Sequence, residues 1–290
     1  MTINNTDSHH VIAKDGTCIG YRQIGHGPGL VLVQGTMGTA YHYAQFAEAL
    51  ADTFSVYVPD RRGRGMSGPG GNDYSIQTEV EDLEALLAKT DAHFVFGLSA
   101  GALIALQAAL VLPAIHKVVA YEPVFFVNGL PTALLARFEQ EMAQDKTAAA
   151  LVTAMQAAQL GPPIFKLMPR WLLEALVNRI MQAEDKHGSG EYPSMRTLSS
   201  TLRYDFRVVT EMHGPLNRFH ALNTEMLLLG GSKSPHYLKV ALSALEQVLP
   251  RNKRVELAGL GHAAAWNYDK QRNPDGQPER VAQELRKFLV

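Results

Sequence analysis

The stretch Phe94-Val95-Phe96-Gly97-Leu98-Ser99-Ala100-Gly101 runs straight into Ala102-Leu103-Ile104-Ala105-Leu106. An apolar strand that ends in Gly-x-Ser-x-Gly and passes without a linker into a helix demands a very tight turn. The glycines permit that turn, and its central residue, Ser99, takes strained backbone geometry with its hydroxyl raised above a sheet. A serine held this way does chemistry only when a base removes its proton and nearby amides receive an oxyanion. Five residues alone make a weak pattern. The strand before and the helix after make Ser99 a candidate nucleophile.

Working outward, the same alternation of strand and helix recurs. Val11 to Ile24 reads as a hairpin turning at Lys14-Asp15-Gly16-Thr17, and Leu30-Val31-Leu32-Val33 reads as a strand buried on both faces. A helix from about Tyr43 to Ala51 and a strand at Phe54–Val58 follow, then a Gly/Arg-rich loop and a helix from Ser75 to Lys89. Ser75 caps that helix, and Val80, Leu83, Leu86 and Leu87 form its apolar stripe. Beyond the Ser99 turn comes a strand at Lys117–Tyr121. From about Phe125 to Gly214 there is no convincing buried strand, only helical pieces at Leu130–Asp145, Thr147–Leu160 and Trp171–Asp185. Gly161-Pro162-Pro163 and the polar run Lys186–Glu191 separate them. Strands return at Glu225–Leu229 and Arg254–Leu257, with helices near Tyr237–Leu249 and Glu279–Leu289. The pattern is that of an eight-stranded, mainly parallel α/β sheet covered on both faces. Its long helical insertion falls after strand six, at the carboxyl edge where such sheets place ligands.

Composition narrows the function classes. At 290 residues and 46% hydrophobic, with a formal net charge of −1, the chain can bury a large core and carries no basic field for nucleic acid or an acidic membrane. Cys18 is the single cysteine, which fits a reducing compartment and a packing role. The polar start, Met1 to His10, has no secretory signal character, and no window is long and apolar enough for a membrane span. A cytoplasmic protein is expected. No cluster has metal-ligand spacing, and no cofactor is expected.

A serine nucleophile needs a histidine, and there are eleven. His262, in Gly259-Leu260-Gly261-His262, directly follows the last strand and so shares the carboxyl edge with Ser99. His9, His10, His26 and His187 fall in a tail or loops, and His93 and His116 precede strands. His42, His213, His220 and His236 stay open on this argument.

These features resemble the α/β-hydrolase fold family. The resemblance rests on Gln34-Gly35-Thr36-Met37, Asp60-Arg61-Arg62-Gly63-Arg64-Gly65-Met66-Ser67, Gly97-Leu98-Ser99-Ala100-Gly101 and Gly259-Leu260-Gly261-His262. It implies a core over 1–124 and 215–290 with a helical lid over 125–214. It also implies an oxyanion hole made by the amide of Ala100 with that of Thr36 or Met37. Two departures stand out. Gln34 replaces the usual histidine of that turn. The usual aspartate after strand seven is absent: the chain there reads Gly230-Gly231-Ser232-Lys233-Ser234-Pro235. Glu225, Glu246 and Glu256 sit at the wrong edge, on a surface helix and within a strand. Glu122, directly after strand six, returns to the edge that carries Ser99, as in family members whose acid follows that strand. A Ser-His dyad helped by water or Ser234 is the alternative. The arginines of the Asp60 loop are expected to pair with carboxylates rather than substrate.

A serine rather than a carboxylate at the turn implies acyl transfer to water, through Ser99, His262 and Glu122, on an ester, thioester or lactone. Among the apolar lid residues, Phe125, Phe126, Phe165, Met168 and Trp171 are candidates to line the site with Gln34, which favours a hydrophobic small molecule. A carbon–carbon bond hydrolase, with Arg203 or Arg207 holding a substrate carboxylate, and a ligand-binding receptor with little turnover are the rivals.

Overall fold

A computed structural model describes residues 7–159, 161, 163–188 and 192–290. Eight strands form one sheet: β1 Asp7–Ile12, β2 Cys18–Ile24, β3 Gly29–Val33, β4 Ser55–Pro59, β5 Phe94–Leu98, β6 Lys117–Tyr121, β7 Glu225–Gly231 and β8 Asn252–Leu257. Their spatial order is β1-β2-β4-β3-β5-β6-β7-β8. The β1–β2 and β2–β4 pairs are antiparallel and the rest are parallel. The hairpin turns where Asp-Gly predicts, with Gly16 at φ 87°. Its first strand begins earlier than the sequence predicts, so His9 and His10 belong to β1 and not to a tail. β1 is an edge strand paired on one side only, and its polar residues at 8–10 stay exposed, which removes the apolar signal of an inner strand.

The inner strands are buried on both faces, and their period-two alternation sorts two cores. Val31, Val33, Val95, Val118, Ala120, Met226 and Leu228 face one side, under α2 (Ile76–Thr90), α3 (Ala100–Val111) and α9 (His236–Val248). Leu30, Leu32, Phe96, Leu98, Val119, Tyr121, Leu227 and Leu229 face the other, under α1 (Ala44–Glu48) and α10 (Pro278–Leu289). Ser75 caps α2, accepting a hydrogen bond from the Thr78 amide at 3.3 Å. No helix among the described residues is long and apolar enough to cross a membrane.

Between β6 and β7 lie α4 (Thr132–Ala143), α5 (Thr147–Ala157), α6 (Arg170–His187), α7 (Met195–Ser199) and α8 (Leu202–Met212). Leu160, expected to end the second helix, Pro162 of the separating Gly-Pro-Pro, and 189–191 of the polar run lie outside the described residues. The segment is two things rather than one uniform cover. Phe138, Leu151, Val152, Leu173, Val177 and Met181 close a separate small core among α4, α5 and α6. The last helix, α8, instead sends Tyr204, Val208, Val209 and Met212 into the sheet core against α2 and α3. That contact explains why α3 is apolar all round: sheet, α2 and α8 cover it from different sides.

The glycines of the Ser99 turn are required by space. A Cβ on Gly97 would stand 2.3 Å from the Gly101 carbonyl oxygen, and one on Gly101 would stand 2.4 Å from that of Val33. Gly97→Ala or Gly101→Ala is expected to cost roughly 2–3 kcal/mol in chemical denaturation, because backbone must shift to admit the methyl group. Gly261→Ala, whose Cβ would meet nothing within 4 Å, is the control and should stay within about 0.5 kcal/mol. Equal losses at all three positions would refute the steric account.

Candidate active site

Ser99 closes β5 at φ 58° and ψ −117°, a region that L-residues avoid and that the hydrogen-bond frame around it enforces. Its amide donates to the Tyr121 carbonyl at 2.9 Å, extending the β5–β6 ladder by one residue, and its carbonyl accepts from Ala102 at 3.1 Å. The side chain is 5% exposed. Ala100 opens α3, and a first-turn amide has no acceptor inside its helix, so it is free to meet an anion.

The turn after β3 runs alongside. Gly35 lies so near the nucleophile that a Cβ there would be 3.0 Å from Cβ of Ser99. The Gly38 amide donates back to the Gly35 carbonyl at 3.1 Å, and Met37 between them has φ 57°. This is a tight turn whose third residue needs a positive φ. The side chain of Gln34 braces the turn. It is fully buried and donates through Nε2 to the Pro59 carbonyl at 2.6 Å, tying the turn to β4. Met37 reaches the other way and packs against the small helical core.

The acid and the imidazole meet. Nδ1 of His262 lies 2.6 Å from Oε2 of Glu122. The other carboxylate oxygen, Oε1, accepts the Gly231 amide at 2.6 Å. A carboxylate oxygen accepts, so the contact suits an Nδ1–H donor, the tautomer that leaves Nε2 as the acceptor nitrogen. Glu122 is fully buried, has φ 46°, and donates its own amide to the Leu229 carbonyl at 2.9 Å. The histidine loop is held from below, where the Tyr121 hydroxyl donates to the Gly261 carbonyl at 2.9 Å. The other carboxylates are engaged elsewhere: Glu225 with Arg251, Glu246 with Arg254 and Glu256 with Lys239. Ser234 is buried, and its hydroxyl has no protein partner among the described residues.

His213, His220 and His236 are exposed. His42 is different: its ring packs 4.6 Å from that of Trp266 and 5.0 Å from that of Tyr192, which comes from the inserted segment. Its Nδ1 accepts the Thr39 amide at 3.1 Å. Burial, reinforced by the charges of Arg64 and Arg272, holds its pKa down at about 4, so it stays neutral near pH 7. This aromatic group was not singled out from sequence; residues from three distant stretches make it.

The Asp60 loop pairs internally, as expected. Arg61 binds Glu79 and Asp205, Arg62 binds Asp15 and Asp82, and Arg64 binds Asp205. Asp60 accepts the amides of Ala40 at 2.8 Å and Met66 at 3.1 Å. The apolar candidates scatter. Phe125 is buried in the sheet core against Phe219, and Trp171 is 68% exposed beside an outer hollow of about 420 Å³. Phe126 stacks on Tyr237 at 5.0 Å. Phe165 and Met168 are half-buried against the small helical core.

Comparison with known proteins agrees with this frame. The sequence model of the Alpha/beta hydrolase family matches residues 30–284. The chain belongs to that family of enzymes. An uncharacterized hydrolase of Bacillus subtilis (strain 168) is 34% identical over 129 residues, 43% of this chain and 46% of that protein. The cis-3-alkyl-4-alkyloxetan-2-one decarboxylase of Shewanella oneidensis is 35% identical over 81 residues, 27% of this chain and 26% of that protein. The chain therefore spans less than half the length of these curated relatives. The crystal structure of an alpha/beta hydrolase from Sphaerobacter thermophilus DSM 20745 superposes with a TM-score of 0.77 at 29% identity, covering 97% of this chain and all of that one.

The His42 shift makes a pH prediction. Its folded pKa lies below the ordinary 6.5, so between pH 6.5 and about 4 the unfolded chain binds a proton that the folded chain refuses. Its contribution to stability is whole above that window and is lost as pH falls through it. Tm should therefore drop less between pH 7 and 4.5 in His42→Gln than in the parent. Parallel Tm curves would overturn the assignment.

Proposed function

We infer that this α/β hydrolase cleaves a carboxylic ester or lactone of a hydrophobic small molecule by way of an acyl-enzyme. The observation that carries the reading is the 2.6 Å contact of His262 with a buried carboxylate, on the sheet edge where Ser99 is held in strained geometry. Nε2 of His262 takes the Ser99 proton as Oγ attacks the carbonyl carbon, and the carbonyl oxygen gathers negative charge. The amide of Ala100 and that of Thr36 or Met37 receive this charge, an effect of the order of 10²–10³ in rate for one such donor. The imidazolium, stabilised by Glu122, hands its proton to the departing alkoxide. The alcohol leaves, or in a lactone stays joined to the acyl group. His262 then deprotonates water, which attacks the acyl-enzyme and releases the acid.

Charge pairing favours an uncharged substrate over the carboxylated substrates of a carbon–carbon hydrolase. Arg203 lies on the Tyr204 ring and donates to its hydroxyl, and Arg207 pairs with Glu211. Arg61 and Arg64 are each matched by buried acids. The oxetan-2-one in the name of the Shewanella relative is a four-membered cyclic ester, which keeps a lactone beside the open-chain ester.

A fluorophosphonate should modify Ser99 and nothing else, and Ser99→Ala should abolish labelling and turnover of chromogenic esters. Glu122→Gln should lower kcat about 10³–10⁴-fold while folding normally, because the amide cannot stabilise an imidazolium. Glu225→Gln and Glu246→Gln should stay within about twofold, as surface pairs do little. Labelling at another residue, or equal small losses in all three glutamine variants, would sink the reading.

A further inference from the structure

The inserted segment reaches into the site through a carboxylate. Asp205, on α8, is 1% exposed. Its Oδ1 accepts Nη1 of Arg61 at 2.7 Å, and its Oδ2 accepts Nη2 of Arg64 at 2.7 Å. The remaining terminal nitrogen of Arg64 donates to two carbonyls of the turn beside Ser99, Gly35 at 3.0 Å and Gly38 at 3.1 Å. Nη1 of Arg61 adds a long contact of 3.4 Å to the Gln34 carbonyl. One side chain of α8 is therefore linked, through two guanidinium groups, to three carbonyls of one turn.

A peptide unit is planar and trans, so its C=O and the N–H of the next residue point in opposite directions. Gripping the Gly35 carbonyl from the arginine side fixes the Thr36 N–H toward the other side. The same carbonyl also accepts the Gly38 amide, so this peptide plane is held from two directions. A Cβ on Gly35 would also stand 3.0 Å from that of Ser99, so this peptide lies beside the serine. We propose that Asp205 is a positioning residue: through Arg64 it locks the Gly35–Thr36 peptide so that the Thr36 amide, rather than that of Met37, joins Ala100 in receiving the oxyanion. This deepens the hydrolytic reading above and rests on it.

The stability of the cluster does not account for it. A buried guanidinium–carboxylate set is often no more stable than an apolar replacement of the same volume, whereas its geometry is specific because the planar fork bonds in fixed directions. Glu79 is the internal control. It pairs with Arg61 and accepts from the Tyr74 hydroxyl, so its removal disturbs the same buried charges without releasing the Arg64 grip on Gly35.

The test compares Asp205→Asn, Arg64→Lys and Glu79→Gln with the parent on one chromogenic ester, with kcat counted per Ser99 titrated by fluorophosphonate. Arg64→Lys keeps a charge opposite Asp205 but cannot reach carboxylate and carbonyl together, and it decides the matter where Asp205→Asn folds poorly. Asp205→Asn and Arg64→Lys should lower kcat about 10–100-fold with KM changed less than about threefold, as expected of donors that matter mainly in the transition state. Their phosphonylation rates should fall in parallel, and Glu79→Gln should keep kcat within about threefold even where its Tm drops. Parental kcat per titrated site in Asp205→Asn and Arg64→Lys, or an equal loss in Glu79→Gln, would overturn the proposal. Failure of the parent itself to label at Ser99 would instead remove the hydrolytic reading on which it rests.

Discussion

Everything at the candidate site depends on the register of three parallel strands. Val33 pairs with Gly97, and Leu98 pairs with Tyr121. The turn after β3, the serine after β5 and the glutamate after β6 are therefore delivered to one rim by backbone hydrogen bonds alone. A parallel ladder is set by interior apolar packing on both faces, so slipping it by one residue would exchange the two cores. The crossing point of the sheet falls at β3 and β5, where the chain passes to β4 on one side and onward on the other, and open α/β sheets receive their ligands there.

Local strain gathers at the same rim. Met37, Ser99 and Glu122 all have positive φ, though none is glycine. Such conformations cost on the order of 1–3 kcal/mol each and persist only where surroundings over-determine them. Here the surroundings are identifiable. Ser99 is fixed by the bond to Tyr121, Glu122 by those to Leu229 and Gly231, and Met37 by the closure of its turn. Rigid strand ends carry the load, and the reacting groups inherit their positions.

Much of this was legible in the sequence, for physical reasons that also mark the limits. Buried parallel strands are short continuous apolar runs between turn residues, so β3 to β7 stand out. An edge strand lacks that signature, so the start of β1 at Asp7 does not. Glu122 was found by topology, since one helix and one strand after Ser99 must return to the same rim. Its φ and its bond to Gly231 belong to tertiary structure. Lid side chains could not be aimed from composition: Phe125 and Trp171, alike in character, ended at opposite extremes of exposure.

Placing the candidate acid, Glu122, directly after β6 has a mechanical consequence. Ser99 and Glu122 hang from neighbouring strands, about 4.8 Å apart, so any flexing of the sheet displaces them as a unit. The end of β7 is a crowded wall, where a side chain at Gly231 would strike the Leu260 carbonyl at 2.3 Å and one at Gly230 would strike Leu242 at 2.5 Å. Gly231 supplies an amide to Glu122, and the close approach of the Leu260 carbonyl leaves no room for a side chain at that position unless the histidine loop moves.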